Sequence, residues 1–360
     1  MKGSDIARLR LQNQHLAAQQ FTQPAEIVKW LGAVQAQDYS GAVWAVGQRL
    51  KVSSAQTIEK AFTDGDIIRT HVLRPTWHFV TPEDIRWMLD LTAPRVLGFT
   101  SFRKRYLGLT DEILLKCANV LTRALDGGKQ LVRTEIGAAL NSAGIATDEQ
   151  RFIHIMMELE LQQLVCSGGR IGKQFTYALL DERVPKAKIV SREEALATLA
   201  ERYFTSHGPA TLQDYAWWSG LTIADSKTGL EMIKNKLISE ASDGNTYWFA
   251  DNGIAAAMAI SSTAFLLPNY DEYTVSYKDR SAAIAEKDIS KADPRGTIFN
   301  NTIVINGQIK AIWRHTFKKN NVIIGVSPFN PLSKSAHAAI SSAAKRYARF
   351  LGIKEYLLQL

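Results

Sequence analysis

Cysteine is almost missing from this sequence. Cys117 and Cys166 are the only two in 360 residues, with no CxxC spacing and no cysteine–histidine pairing. That excludes a zinc site built on cysteine and favours two reduced core thiols in a cytoplasmic protein. Long apolar runs are missing as well. No window approaches the ~18 apolar residues of a membrane-spanning helix, and the opening MKGSDIARLRLQNQHLAAQQ lacks the apolar run of a signal peptide. The expectation is a soluble, cytoplasmic chain with no membrane partner. Nothing reads as a P-loop, a GxGxxG fingerprint or an HExxH helix, so neither a cofactor nor a metal is implied.

What is present is a large apolar fraction, 46%, with a net charge of +8 and a pI near 9.3. The first permits a substantial core and argues against disorder. The second favours a polyanionic partner, nucleic acid or an anionic membrane surface, although many basic enzymes bind neither.

One supersecondary pattern comes three times. In the middle copy, Thr110 and Asp111 start a helix that runs to Leu125. A short helix capped by Thr134 follows, ending at Gly144, and a longer one starts at Asp148. LVCSG and RIGKQFTYALL then read as two strands joined at Gly168-Gly169. Helix, helix, helix, hairpin is the order of a winged helix-turn-helix. It recurs from Ser191, with TLQDYAWWSG, a helix from Ala224 to Leu237, and a hairpin turning at Asp243-Gly244-Asn245. The first copy comprises FTQPAEIVKWLGAVQAQ, SSAQTIEKAFTDG and the strands DIIRTHVL and TWHFVT, with Pro24 suited to a first helical turn. Such units place a helix in the DNA major groove, but they also serve as protein-docking and dimerisation modules.

The last hundred residues differ. STAFLLPNYDEYTVSY and NTIVINGQIKAIWRHTFKKNNVIIGV read as strands, with turns at Asn306-Gly307 and Lys319-Asn320-Asn321. A final helix is capped by Ser333. The expected fold class is α+β, mainly α: tandem winged helix-turn-helix units plus a C-terminal β-rich domain. The expected divisions are 1–100, which carries a Gln-Ala-Gln motif, 101–188, 189–252 and 253–360.

VQAQDYSG, RTHVLRPTWHFV, SHGPATLQDYAWWSGL, LLPNYDEYTVSYKDR and NGQIKAIWR occur in this order. Together they resemble the AlkZ-type winged-helix DNA glycosylases, from about residue 5 to 355. The resemblance implies a C-shaped scaffold with a β-domain, able to work as a monomer. It implies double-stranded DNA with alkylated bases as partner, and hydrolysis of the N-glycosidic bond of alkylated purines, interstrand crosslinks included. The family's Gln-aliphatic-Gln triplet maps onto Gln35, Ala36 and Gln37. A related YcaQ-like branch has Asp in place of the second glutamine; here Gln37 stands there and Asp38 follows, nearer to AlkZ.

Residues i and i+2 point about 200° apart on a helix but the same way on an extended backbone. Gln35 and Gln37 therefore converge only where the helix has ended, as Tyr39-Ser40-Gly41 suggests. Two convergent amides offer neutral donors and acceptors. An N7- or N3-alkylated purine is already cationic and leaves readily. Holding a water at the sugar C1′ beside an oxocarbenium-like transition state is then enough. The competing local reading has both glutamines capping a helix in solvent. Asp38 is a group orienting a glutamine, an auxiliary carboxylate or a turn residue.

Other candidates follow. His71 and His78 on the first hairpin could meet, as buried hydrogen-bonded residues or beside the lesion. Arg69 and Arg74 share that hairpin and are candidate phosphate contacts. So are Arg103, Lys104 and Arg105 in FRKRY, and Arg314, Lys318 and Lys319 in a hairpin where Trp313 could enter a groove. Asp271 and Glu272 are adjacent, which on extended backbone sends them to opposite faces and argues against a carboxylate pair. One of them is expected to bridge an arginine such as Arg280. No lysine stands out as a Schiff-base nucleophile, which favours a monofunctional glycosylase without strand cleavage. The alternatives are a non-catalytic DNA-binding regulator or architectural factor, and an interaction scaffold. DEQRFIHIMMELELQQL carries four acidic residues and one arginine, a poor composition for a helix that reads DNA.

Overall fold

Helices and strands are mixed along the whole chain in the computed structural model, which describes residues 1–148, 150–186, 189–251, 263–294, 300–319 and 321–360. Two units separate. One comprises Met1–Glu59, Leu196–Trp218 and Thr222–Leu360, the other Lys60–Ala195 and Ser219–Leu221.

The first unit contains a five-stranded sheet. Ala264–Leu267, Thr302–Ile305, Gln308–Phe317 and Asn321–Pro328 pair antiparallel in turn, and Glu355–Gln359 adds a parallel edge. Asn306-Gly307 makes the tight turn expected of it, with φ of 51° and 80°, the left-handed pair a two-residue hairpin needs. The turn at Lys319-Asn320-Asn321 involves Asn320, outside the described residues. The helix Lys334–Phe350 begins where Ser333 accepts the Ala336 N–H at 3.2 Å. It buries Ala339, Ile340, Ala343, Ala344 and Tyr347, a helical stripe facing the core. Leu11, Phe265, Leu267, Tyr273, Val304 and Ile309 form a second apolar centre of this unit. Asp243 and Gly244, both at positive φ, turn the hairpin of Ile238–Ser242 and Asn245–Phe249.

Two expectations in this unit change. The strand reading of LLPNYDEYTVSY holds only to Leu267. Asp271 then accepts the Tyr273 N–H at 2.9 Å and caps a one-turn helix, Glu272–Val275. The closing strand Glu355–Gln359 was not anticipated.

In the second unit, Asp111–Leu125, Arg133–Ser142 and Arg151–Leu161 precede the strands Val165–Ile171 and Gln174–Leu179. Thr110 caps the first helix, accepting from the Ile113 N–H. Leu114, Leu121, Ile136, Leu140, Ile155 and Leu159 pack into one core. The second helix starts at Arg133 rather than after a Thr134 cap, because the Glu135 carboxylate takes the Val132 N–H at 2.8 Å. Gly168-Gly169 is not the turn. The strand runs through both glycines with a register shift, and the Gly169 N–H goes to Gln130 Oε1 at 2.6 Å. A Cβ on Gly168 would lie 2.3 Å from Thr176 Oγ1, so only glycine fits; the chain reverses instead at Gly172, φ 61°. A helix of 22 residues, Ile85–Tyr106, ends in the basic run. Among the described residues no helix is long and apolar enough to cross a membrane.

Candidate active site

The helix Pro24–Leu31 stops at Gly32, whose φ of 80° is a left-handed conformation that glycine adopts without strain. Val34 and Gln35 are extended, and Gln37 and Asp38 form a bend. Neither glutamine is helical. Gln35 is 6% exposed, whereas Gln37 is exposed. Asp38 is no simple turn residue. Its carboxylate accepts the Gly41 N–H at 3.2 Å and caps a new helix, Tyr39–Gly47, where its charge also suits the helix dipole.

The Gln35 peptide is fixed by a residue the sequence reading set aside. Its N–H donates to Glu272 Oε1 at 2.7 Å. Oε2 of the same carboxylate accepts from Trp218 Nε1 at 3.0 Å and from Ser276 Oγ, and faces His207 Nε2 at 3.6 Å. Glu272 and His207 are both fully buried. Burial pushes the Glu272 carboxyl up, but His207, Ser276 and the Gln35 amide together hold it down at about 2. Burial keeps His207 below its ordinary value against the pull of Glu272. A buried carboxylate with this many donors is rigid, so the backbone that presents Gln35 is rigid too.

Asp271, next in chain, is equally buried but pairs elsewhere. Both its oxygens meet Arg49, at 2.7 and 2.8 Å. Arg49 also donates to Gln14 O, Gln14 Oε1 and Ala45 O, satisfying all five guanidinium protons. The arginine partner is thus Arg49 and not Arg280, whose Nε donates to Thr274 O.

The remaining candidates scatter. His71 and His78 do not meet: His71 stands opposite Trp77 and His78 opposite Thr70, one register step apart and so on opposite faces. His71 Nδ1 lies 2.6 Å from Glu160 Oε2, and His78 Nδ1 lies 2.9 Å from Thr76 O. Arg69 is buried, with its guanidinium over the rings of Trp77 and Phe175, which replaces the expected phosphate contact by stacking. Arg74 is half-buried. Arg103 donates to Gln150, and Lys104 is bound to Asp111 at 2.8 Å, whose hydrogen bond raises its pKa. Arg105, Arg314, Lys318 and Lys319 are exposed. Trp313 cannot enter a groove as it stands. It is 2% exposed and donates to Leu267 O. In the helix Arg151–Leu161, Glu158 and Glu160 are buried, so the acidity of that stretch is in part internal, not a solvated face.

The comparisons with known proteins identify the family. The family model described as DNA glycosylase AlkZ-like matches residues 28–350. The chain belongs to that family, which places it among the DNA-binding glycosylases of DNA repair. It is 21% identical over 368 residues to the interstrand DNA cross-link repair glycosylase of Streptomyces sahachiroi, covering 96% of this chain and 95% of that one. The solved structure of the Streptomyces sahachiroi DNA glycosylase AlkZ shares its fold, with a TM-score of 0.81 at 19% identity, over 100% of this chain and 99% of that one.

Proposed function

We propose that this protein hydrolyses the N-glycosidic bond of N7- or N3-alkylated purines in double-stranded DNA, with Gln35 and Gln37 positioning the water. The observation that carries this reading is the Glu272 carboxylate on the Gln35 N–H, in a chain of the AlkZ-like family. The water oxygen bonds to C1′ as the C1′–N bond breaks. The electron pair of that bond cancels the charge on the purine ring, and the surplus water proton passes to solvent. Neutral amides suffice because the leaving group is already activated, so normal bases are poor substrates. With no lysine in the scheme no Schiff base forms at C1′, and the abasic sugar is left in an uncut strand, a monofunctional outcome.

We read the helix–helix–helix–hairpin successions as winged units within 1–100, 101–188 and 189–252, and 253–360 as a β-rich domain; the boundary at 252/253 lies outside the described residues. Exposed Arg105, Arg314, Lys318 and Lys319 are the side chains best placed for phosphate. The relative's name concerns cross-links, and we extend that substrate class to this chain. Duplex DNA carrying 7-methylguanine tests the reading. Release of the free base with intact strands supports it, whereas binding without release, on methylated and cross-linked duplex alike, leaves a non-catalytic DNA-binding protein.

A further inference from the structure

One hollow of the first unit is lined by charge of a single sign. Its volume is ≈ 240 Å³, and Lys51, Arg346 and Arg349 lie on its lining while no aspartate or glutamate does. The helix Lys334–Phe350 supplies both arginines, three positions apart and so on one face. Beneath them the wall is apolar and closely packed. Trp44 and Phe350 are buried with their rings 4.9 Å apart, and Trp44 Nε1 donates to Leu266 O at 2.6 Å. A Cβ on Gly47 would lie 2.2 Å from Phe350, so only glycine lets the two helices meet this closely.

The fold does not neutralise these cations. Among the described residues none of the three is in an ion pair. Glu26 feels the Lys51 charge, but it is off the lining and already accepts the N–H groups of Thr22 and Gln23. Arg346 is fixed by a hydrogen bond to Ala264 O at 2.6 Å. Burial pushes its pKa below the ordinary value, the mark of a cation partly out of water, where attraction to an anion is screened less. Three like charges around one hollow repel one another, and an anion between them relieves that repulsion. A phosphate monoester brings about two negative charges and three strong acceptor oxygens near neutral pH. An internal phosphodiester of a duplex has one charge and chain on both sides, so it passes over a hollow with a packed floor. A monoester ends, and its phosphate can enter. The volume lies below the roughly 300 Å³ at which pockets for drug-sized ligands begin, but it accommodates a phosphate group.

We propose that this hollow binds a phosphate monoester, the terminal phosphate of a nucleotide or of a DNA strand end, with Lys51, Arg346 and Arg349 on its oxygens. The site stands apart from the glycosylase reading, because neither Gln35 nor Gln37 lines it and no step of the hydrolysis uses it.

The test is calorimetric binding of three probes with a common base to the full chain. Adenosine 5′-monophosphate is a monoester, adenosine 3′,5′-cyclic monophosphate is a diester, and adenosine has no phosphate. The monoester should bind at least about tenfold tighter than either of the others. Lys51→Gln and Arg349→Gln together should erase that preference. Both side chains are exposed and Arg346 is left to hold Ala264, so the double variant should fold, as far-UV dichroism checks. One duplex with 5′-phosphate ends and the same duplex with 5′-hydroxyl ends distinguish the sources. Displacement of the nucleotide by the phosphorylated duplex alone assigns the site to strand ends, and displacement by neither assigns it to free nucleotides. Equal binding of monoester and diester, binding of none of the probes, or a preference that survives in the folded double variant overturns the proposal. Equal displacement by both duplexes overturns it too, by giving the three cations to the DNA backbone.

Discussion

The backbone N–H of Gln35 is hydrogen-bonded at 2.7 Å to the Glu272 carboxylate, 237 residues further along the chain. That bond ties the glutamine loop to the one-turn helix of the NYDEY stretch. Replacing Glu272 by Gln keeps an acceptor but removes the charge that His207 and Trp218 face. We expect a loss of about 1–3 kcal/mol in stability, the worth of charge-assisted bonds, read by urea denaturation. Base release by the folded fraction should fall while DNA affinity stays near wild type. A variant with full activity would show that the Gln35 peptide needs no such anchor.

Acid should act through the same carboxylate. Its folded value, about 2, lies below the ordinary 4.5. A depressed carboxylate stabilises the fold fully above the unfolded value, and that contribution fades as pH falls through the window between the two. Stability measured by denaturation from pH ~4.5 down to ~2 should therefore drop more steeply in wild type than in Glu272→Gln. Parallel curves would contradict the assignment.

Asp271 and Arg49 make the second buried link of this segment. Asp271→Ala leaves the fully buried Arg49 guanidinium without its counter-charge and should cost about 3–5 kcal/mol. Arg49→Lys is no rescue, because an ammonium cannot reproduce the two-pronged contact. Thermal melts of both variants should show large losses of Tm.

The exposed basic side chains should act through salt alone. Replacing Arg314, Lys318 and Lys319 by Ala should flatten the dependence of log affinity on log salt by up to about 3, roughly 0.9 per phosphate contact. Arg69→Ala should instead lower stability, since Arg69 packs over Trp77 and Phe175. A full salt slope in the triple variant would move the DNA contacts elsewhere.

Local signals were legible in the sequence. The Ser333 and Thr110 caps and the Asn306-Gly307 turn follow from residue chemistry that acts over a few positions; the helix before Gln35, by contrast, stops already at Gly32, and Tyr39-Ser40-Gly41, read as its end, opens the next helix. What escaped depends on partners far apart. Glu272 was set aside because an extended NYDEY would split the two acids, whereas the Asp271 cap starts a helix there. Nothing near Glu272 in the chain announces His207 or Trp218, although the SHGPATLQDYAWWSGL stretch that bears both had been singled out as a motif. Arg69 and Trp313 looked like DNA contacts because basic and aromatic residues alternate there, and only the packing shows them turned inward. The strand Glu355–Gln359 escaped because an edge strand of five residues, half-buried on one face, leaves little pattern.

The most direct test is base release from duplex DNA containing 7-methylguanine by wild type, Gln35→Ala and Gln37→Ala, with DNA affinity measured in parallel. The account predicts that both substitutions abolish release and leave binding in place, with Gln37→Ala nearly neutral for stability because Gln37 is exposed. Release that survives both substitutions would contradict it and place the catalytic groups elsewhere in the chain.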